Sequence, residues 1–220
     1  MKIRALIFDF DGLLVNTSEL ITAAYMQFME RRGKKFDVKD RSDMMGRPGI
    51  VNMNFLKEEY GLEGDPEELL KERRAISRAL IEERMALLEG VTELLELAEN
   101  LGLVCAVGSG ADRPHVEYGL NKMGIRKYFS AILTSDDLVK SQGKPDPEIF
   151  LLAAEAIGMK PAECIVLEDA PNGITAAKKA GMKSIFVPDA RFTQTTHEDA
   201  DAILKTLRGV TDELIKKLSS

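Results

Sequence analysis

Two aspartates, Asp9 and Asp11, flank Phe10 and are followed at once by Gly12. Residues two apart in an extended segment point the same way, so both carboxylates can reach one site. Gly12 allows the sharp exit that would leave them at the end of a strand. The same residue types also make an ordinary strand-end turn. A second acidic pair, Glu168-Asp169, follows the apolar run Cys164–Leu167. Read alone, that pair serves as a cap for a helix opening at Ala170-Pro171. If the two apolar runs are strands of one parallel sheet, the pairs share an edge and three or four acids converge. Such acids repel and raise one another's pKa. A divalent cation resolves the conflict, and all-oxygen ligation favours magnesium.

Two further strings offer groups for an anion. Gly143-Lys144-Pro145-Asp146-Pro147 holds a lysine between residues that restrict the backbone. Lys144 could meet a phosphate and offset the acids, or be a solvated loop lysine ahead of a capped helix. Gly108-Ser109-Gly110 ends the run Leu103–Val107. A hydroxyl with adjacent exposed amides can hold a phosphate, and the same string suits many turns. Each signal is modest by itself. All four fall at the carboxyl ends of predicted strands, where an open α/β sheet gathers its active site.

Short apolar runs, near-continuous rather than alternating, predict the strands: Ile3–Phe8, Leu103–Val107, Ala131–Leu133, Cys164–Leu167 and Ser184–Val187. That pattern suits a parallel sheet covered on both faces. Helical spacing occupies the stretches between them: Gly90–Asn100, Asp112–Lys122, Asp146–Ile157 and Ala170–Lys179. The alternation predicts an α/β fold, a doubly wound, Rossmann-like parallel sheet. One segment breaks the rhythm. Between Thr17 and Leu88 the patterns are helical throughout, at Ser18–Arg31, Ile50–Tyr60 and Pro66–Leu88. The expected organisation is therefore a core of residues 1–15 and 89–220, with an inserted helical cap of residues 16–88. An insert at the end of the first strand stands where such sheets bind ligands, so a lid is expected.

Composition limits the partners. The chain of 220 residues carries 36 acids against 30 bases, a net charge of −6. That balance gives no electrostatic reason to bind nucleic acid or an anionic membrane. No stretch approaches the ~18 uninterrupted apolar residues of a membrane span, and the first apolar run is broken by Asp9 and Asp11, unlike a signal sequence. Cys105 and Cys164 each sit in an apolar run and are expected as buried thiols. A reducing cytoplasm and a monomer or small homo-oligomer are the matching expectations.

With these residues in view, the chain resembles the haloacid dehalogenase superfamily, in the branch with a helical cap after the first strand. IFDFDGLLVNT resembles the first family motif, AVGSG the second, GKPDPEIF the third and VLEDAPNGITAAKKAGM the fourth. The resemblance implies that Asp9 is the nucleophile and Asp11 the general acid and base. It implies that Ser109, Gly110 and Lys144 hold the phosphate. Asp9, Glu168, Asp169 and the backbone carbonyl of Asp11 would bind Mg2+. The implied activity is magnesium-dependent hydrolysis of a small phosphorylated metabolite such as a sugar phosphate, through an aspartyl-phosphate. A second Asp at position 11 argues for phosphoryl transfer over dehalogenation.

Two other readings compete. A β-phosphoglucomutase usually has a histidine soon after the first motif and an arginine in a VSR-like cap string. Leu20-Ile21 and Gly46-Arg47-Pro48 stand in those regions here. A phosphoaspartate signalling protein would be shorter and lack the insert. Within the insert, Asn16 and Thr17 are expected as hinge residues or as a helix cap. Arg47 is expected either to hold a second anionic or hydroxylated group or to lie on the surface. His115 and His197, the only histidines, are expected to be surface or structural residues.

Overall fold

The computed structural model describes residues 2–44, 49–141, 143–189, 191 and 195–219. The chain divides into two compact units, residues 1–15 with 86–220, and residues 16–85. The return to the first unit lies at residue 86, where the helix expected to run to Leu88 has already ended. Its cause is local: Met85 turns to extended backbone, Leu87 bridges to Val15, and the Leu88 N–H donates to the Leu14 carbonyl. The last helix of the insert therefore stops at Arg84.

The first unit holds a six-stranded sheet whose paired neighbours all run parallel. Its strands are β1 (Ala5–Phe8), β2 (Val104–Gly108), β3 (Phe129–Leu133), β4 (Cys164–Glu168), β5 (Lys183–Phe186) and β6 (Ala202–Ile203), in the spatial order β3-β2-β1-β4-β5-β6. β1 lies in the middle and is buried at all four residues. Both of its faces are covered, which is why its sequence does not alternate. In register, Ile7 pairs with Ala106 and Val166, and Phe8 pairs with Val107 and Leu167. Ile7, Ala106 and Val166 pack in one cluster with Ile149, Phe150 and Ala153 and with Ala176 and Ala177. β6 has two residues, too short for a periodic signal, and escapes a reading of the sequence.

The helices α5 (Val91–Asn100), α6 (Arg113–Lys122), α7 (Glu148–Ala156) and α8 (Pro171–Lys179) connect the strands, and α9 (Asp212–Leu218) closes the chain. In α5 the buried residues are Val91, Leu94, Leu95 and Ala98, one apolar stripe of a 3.6-residue repeat. α6 starts at Asp112, whose side chain accepts the His115 N–H.

The second unit contains α1 (Thr17–Glu30), α2 (Asp40–Met44), α3 (Gly49–Tyr60) and α4 (Pro66–Arg84). Asp65 caps α4 by accepting from Glu67 and Glu68, with Pro66 in its first turn. α1 and α4 pack through Tyr25, whose ring lies 4.9 Å from the Arg73 guanidinium. Among the described residues no helix is long and apolar enough to cross a membrane. Both cysteines are free and buried, and burial pushes their thiols up to about 12 at Cys105 and about 11 at Cys164.

Candidate active site

The parallel register decides where the candidate side chains meet. The Asp9 N–H donates to the Leu167 carbonyl at 3.0 Å, and the Ser109 N–H donates to the Leu133 carbonyl at 2.9 Å. Each strand thus keeps its pairing one residue past its end. Asp9, Ser109 and the Glu168-Asp169 pair all leave the sheet at its carboxyl edge.

Carboxylate oxygens of Asp9, Glu168 and Asp169 lie within 4.8 Å of one another, and all three residues are buried. Lys144 reaches into this group from the loop before α7. Its Nζ donates to Asp9 Oδ1 and to Glu168 Oε1, each at 2.5 Å. It also stands 4.7 Å from the Phe150 ring centroid. The second oxygen of Glu168 accepts from the Ala170 N–H at 2.9 Å. Burial pushes the Asp9 carboxyl up to about 7; the Lys144 ammonium pulls against this, and the Glu168 carboxylate adds to it. Burial opposes the charge on Lys144, but Asp9 and Glu168 outweigh it and hold the amine above its usual range.

The carboxylate set is all oxygen, sequestered and close-spaced, and it fits a hard divalent cation.

Asp11 sits in a tight loop. The Gly12 N–H donates to the Val15 carbonyl at 2.9 Å, the Leu14 N–H to the Phe10 carbonyl at 3.0 Å, and Gly12 has φ 85°. Only glycine takes that conformation readily. The Asp11 carboxylate also bears on Asp9 electrostatically. Its Oδ1 lies 2.8 Å from Nε2 of His115. His115, expected as a surface or structural residue, therefore touches an expected catalytic group. Attraction by Asp11 raises its pKa against the cost of burial. The sequence carries no local signal for the contact, because the two residues are 104 positions apart. Only the turn that follows β2 brings them together.

Ser109 is 1% exposed, and its Oγ accepts from the Ala111 N–H at 3.1 Å. Gly108 before it packs closely: a Cβ there would stand 3.0 Å from Phe150 Cδ1, so the ring would have to give by a few tenths of an ångström. Gly110 is exposed, and a Cβ there would meet nothing within 4 Å. Asn16 precedes α1, but its side chain does not cap that helix; its Nδ2 donates to the Arg84 carbonyl at 3.2 Å. Thr17 is the first residue of α1 and is fully buried. Arg47 lies outside the described residues.

The sequence model for haloacid dehalogenase-like hydrolases matches residues 6–187. The chain belongs to this family. It is 33% identical over 214 residues to (DL)-glycerol-3-phosphatase 2 of Arabidopsis thaliana, covering 94% of this chain and 88% of the relative. It is 33% identical over 195 residues to hexitol phosphatase B of Escherichia coli strain K12, covering 85% and 84%. The crystal structure of CbbY from Rhodobacter sphaeroides in complex with phosphate superposes with a TM-score of 0.78 at 26% identity, covering 94% of this chain and 96% of that one. Haloacid dehalogenase-like hydrolases of this kind are phosphoric monoester hydrolases, and so is this chain.

Proposed function

We propose that the protein is a magnesium-dependent phosphatase that hydrolyses a small phosphorylated metabolite, a sugar or polyol phosphate, through an aspartyl-phosphate on Asp9. The observation that carries this reading is the position of Lys144, 2.5 Å from both Asp9 and Glu168, with Asp169 completing the carboxylate cluster. The relatives named for glycerol phosphate and hexitol phosphate support the substrate class.

Asp9, Glu168, Asp169 and the backbone carbonyl of Asp11 would hold the cation. When bound, it supplies positive charge to the phosphoryl oxygens and reduces their repulsion of Asp9. Asp9 attacks phosphorus in line, and the P–O bond to the leaving alcohol breaks as the bond to Asp9 forms. Asp11 gives its proton to the departing oxygen. As a carboxylate it then takes a proton from the water that releases phosphate. Lys144 neutralises charge on the equatorial oxygens, and Ser109 with the Gly110 amide holds the phosphate. In this reading the helical unit serves as the cap.

The test is phosphate release from a panel of sugar, hexitol and glycerol phosphates, with and without magnesium, for the parent and Asp9→Asn. Turnover should require the metal and vanish in the variant. Metal-independent hydrolysis, or an active Asn variant, rules the mechanism out. Interconversion of glucose phosphates dependent on a bisphosphate primer would assign a mutase instead, and a phosphoprotein stable for minutes would assign a signalling role.

A further inference from the structure

We propose that His115 is a positioning residue for the phosphatase reaction, holding the Asp11 carboxyl by one oxygen so that the other is presented to the leaving group. The inference rests on the assignment of Asp11 as general acid and base. It is carried by the way the imidazole is built in. Its main chain is fixed where Asp112 Oδ1 accepts the His115 N–H at 2.9 Å, in the first turn of α6. Its ring stands edge to face on Phe10, with centroids 5.5 Å apart and planes at 86°. Its Nε2 reaches Asp11 Oδ1 at 2.8 Å, and both side chains are 22% exposed. Phe10 and Asp11 are adjacent, so one ring grips two consecutive residues of the catalytic loop. That loop is itself held by the Asp11–Val15 bridge and the Gly12 hydrogen bond to Val15. With the backbone fixed, the remaining freedom of Asp11 is its side-chain rotation, and His115 limits it.

The arrangement suits both halves of the reaction. With its proton on Nε2, His115 donates to Oδ1 whether Asp11 is acid or carboxylate. Oδ2 is then the atom that gives the proton to the alcohol and later takes one from water. No change in the charge of His115 is needed. Misplacing a reacting group by about 1 Å can cost roughly a hundredfold in rate, and general acid catalysis contributes about 10²–10⁴-fold.

The experiment uses leaving groups of different need. An alkyl phosphate such as glycerol phosphate releases a poor leaving group that must be protonated, whereas p-nitrophenyl phosphate releases a stable phenolate. kcat/KM reports the step in which the ester bond breaks. For His115→Ala, kcat/KM on the alkyl ester should fall about 10- to 100-fold, while that on the aryl ester changes by less than about threefold. His115→Gln, whose amide can donate from a similar position, should recover most of the loss. Asp9→Asn, assayed beside them, should lose both esters. Equal losses on the two esters, no loss, or a gain in His115→Ala overturns the positioning role while the dead Asp9→Asn leaves the phosphatase reading standing. An active Asp9→Asn overturns both.

Discussion

The Glu168 side chain fills the space that a side chain at position 173 would need. A Cβ on Gly173 would lie 1.9 Å from Oε1 and 2.0 Å from Cδ of Glu168. Gly173 sits inside α8 with ordinary helical backbone, so the site needs it for close approach and not for a special conformation. That approach places Oε1 against Lys144 and Oε2 against the Ala170 N–H. Gly173→Ala should therefore push the carboxylate out of the cluster. Groups that orient metal ligands typically carry about 10–100-fold in metal affinity, and a loss in that range is expected. A titration of turnover against magnesium reads it directly; an unchanged midpoint would show that Glu168 has room to move.

Magnesium should also stabilise the fold in the absence of any substrate. A ligand at about 100 times its dissociation constant adds roughly 2.7 kcal/mol, which for a chain of this size raises Tm by about 5–11 °C. The gain should be lost on adding a chelator and be much smaller in Asp169→Asn. Equal thermal shifts in the parent and the variant would place the bound ion elsewhere on this acidic protein.

Gly90 gives a prediction independent of the site. It precedes α5 with φ 89°, and a Cβ there would stand 2.3 Å from the backbone nitrogen of Arg208. Left-handed backbone costs a residue with a side chain roughly 1–2 kcal/mol, and backbone atoms cannot step aside as a side-chain tip can. Gly90→Ala should lose about 2 kcal/mol or more, lowering Tm by at least about 4–8 °C. Activity at low temperature should survive. A melting curve that overlays the parent's would mean that the segment after β6 shifts freely.

The contrast between these glycines shows what a linear reading reaches. The β-α-β rhythm, the Asp9–Asp11 pair and the Glu168-Asp169 pair were legible because each signal is local: an apolar run, then acids, then a helix start. Parallel pairing then dictates that the strand ends coincide, so their convergence needs no further information. His115 and Gly173 were not legible. Each acts through a contact made after the sheet and helices have packed, and neither has a spacing that announces it. β6 failed for a different reason: its two residues are held by pairing to Ile185 and Phe186, not by any pattern of their own. Pro66–Leu88 keeps a helical pattern, but the helix stops at Arg84 because Leu87 and Leu88 are claimed by Val15 and Leu14.

Glu148 should make stability depend on acid. The Ser141 hydroxyl and the N–H groups of Val139, Lys140 and Ser141 donate to its carboxylate and hold its pKa down at about 2, from an ordinary 4.5. A depressed carboxylate contributes stability that is fully present above its unfolded pKa and lost as pH falls through its folded one. The parent should therefore exceed Glu148→Gln in stability at neutral pH. The gap should close between about pH 4.5 and about pH 2. Denaturant melts across that window measure it, and a gap independent of pH would mean that these donors do not favour the charged form.

Among the described residues Lys144 is the ammonium paired with Asp9 and Glu168, and its side chain is 8% exposed. Removing one member of a buried ion pair leaves the other uncompensated, at a cost of about 3–5 kcal/mol. Lys144→Met keeps the contact with Phe150 and removes only the charge, so it should show that loss in metal-free protein. Glu168→Gln on the same background removes one of the carboxylates left unpaired, and the double variant should be more stable than the sum of the two single losses implies. Magnesium provides a second check on the same physics. A cation among the acids replaces the missing charge, so the penalty of Lys144→Met should shrink when the metal is added. Turnover should not recover, because the ammonium proposed to meet the phosphoryl oxygens is still absent. A strictly additive cycle, or a penalty indifferent to the metal, would mean that Lys144 is held by packing on Phe150 and not by the charges around it.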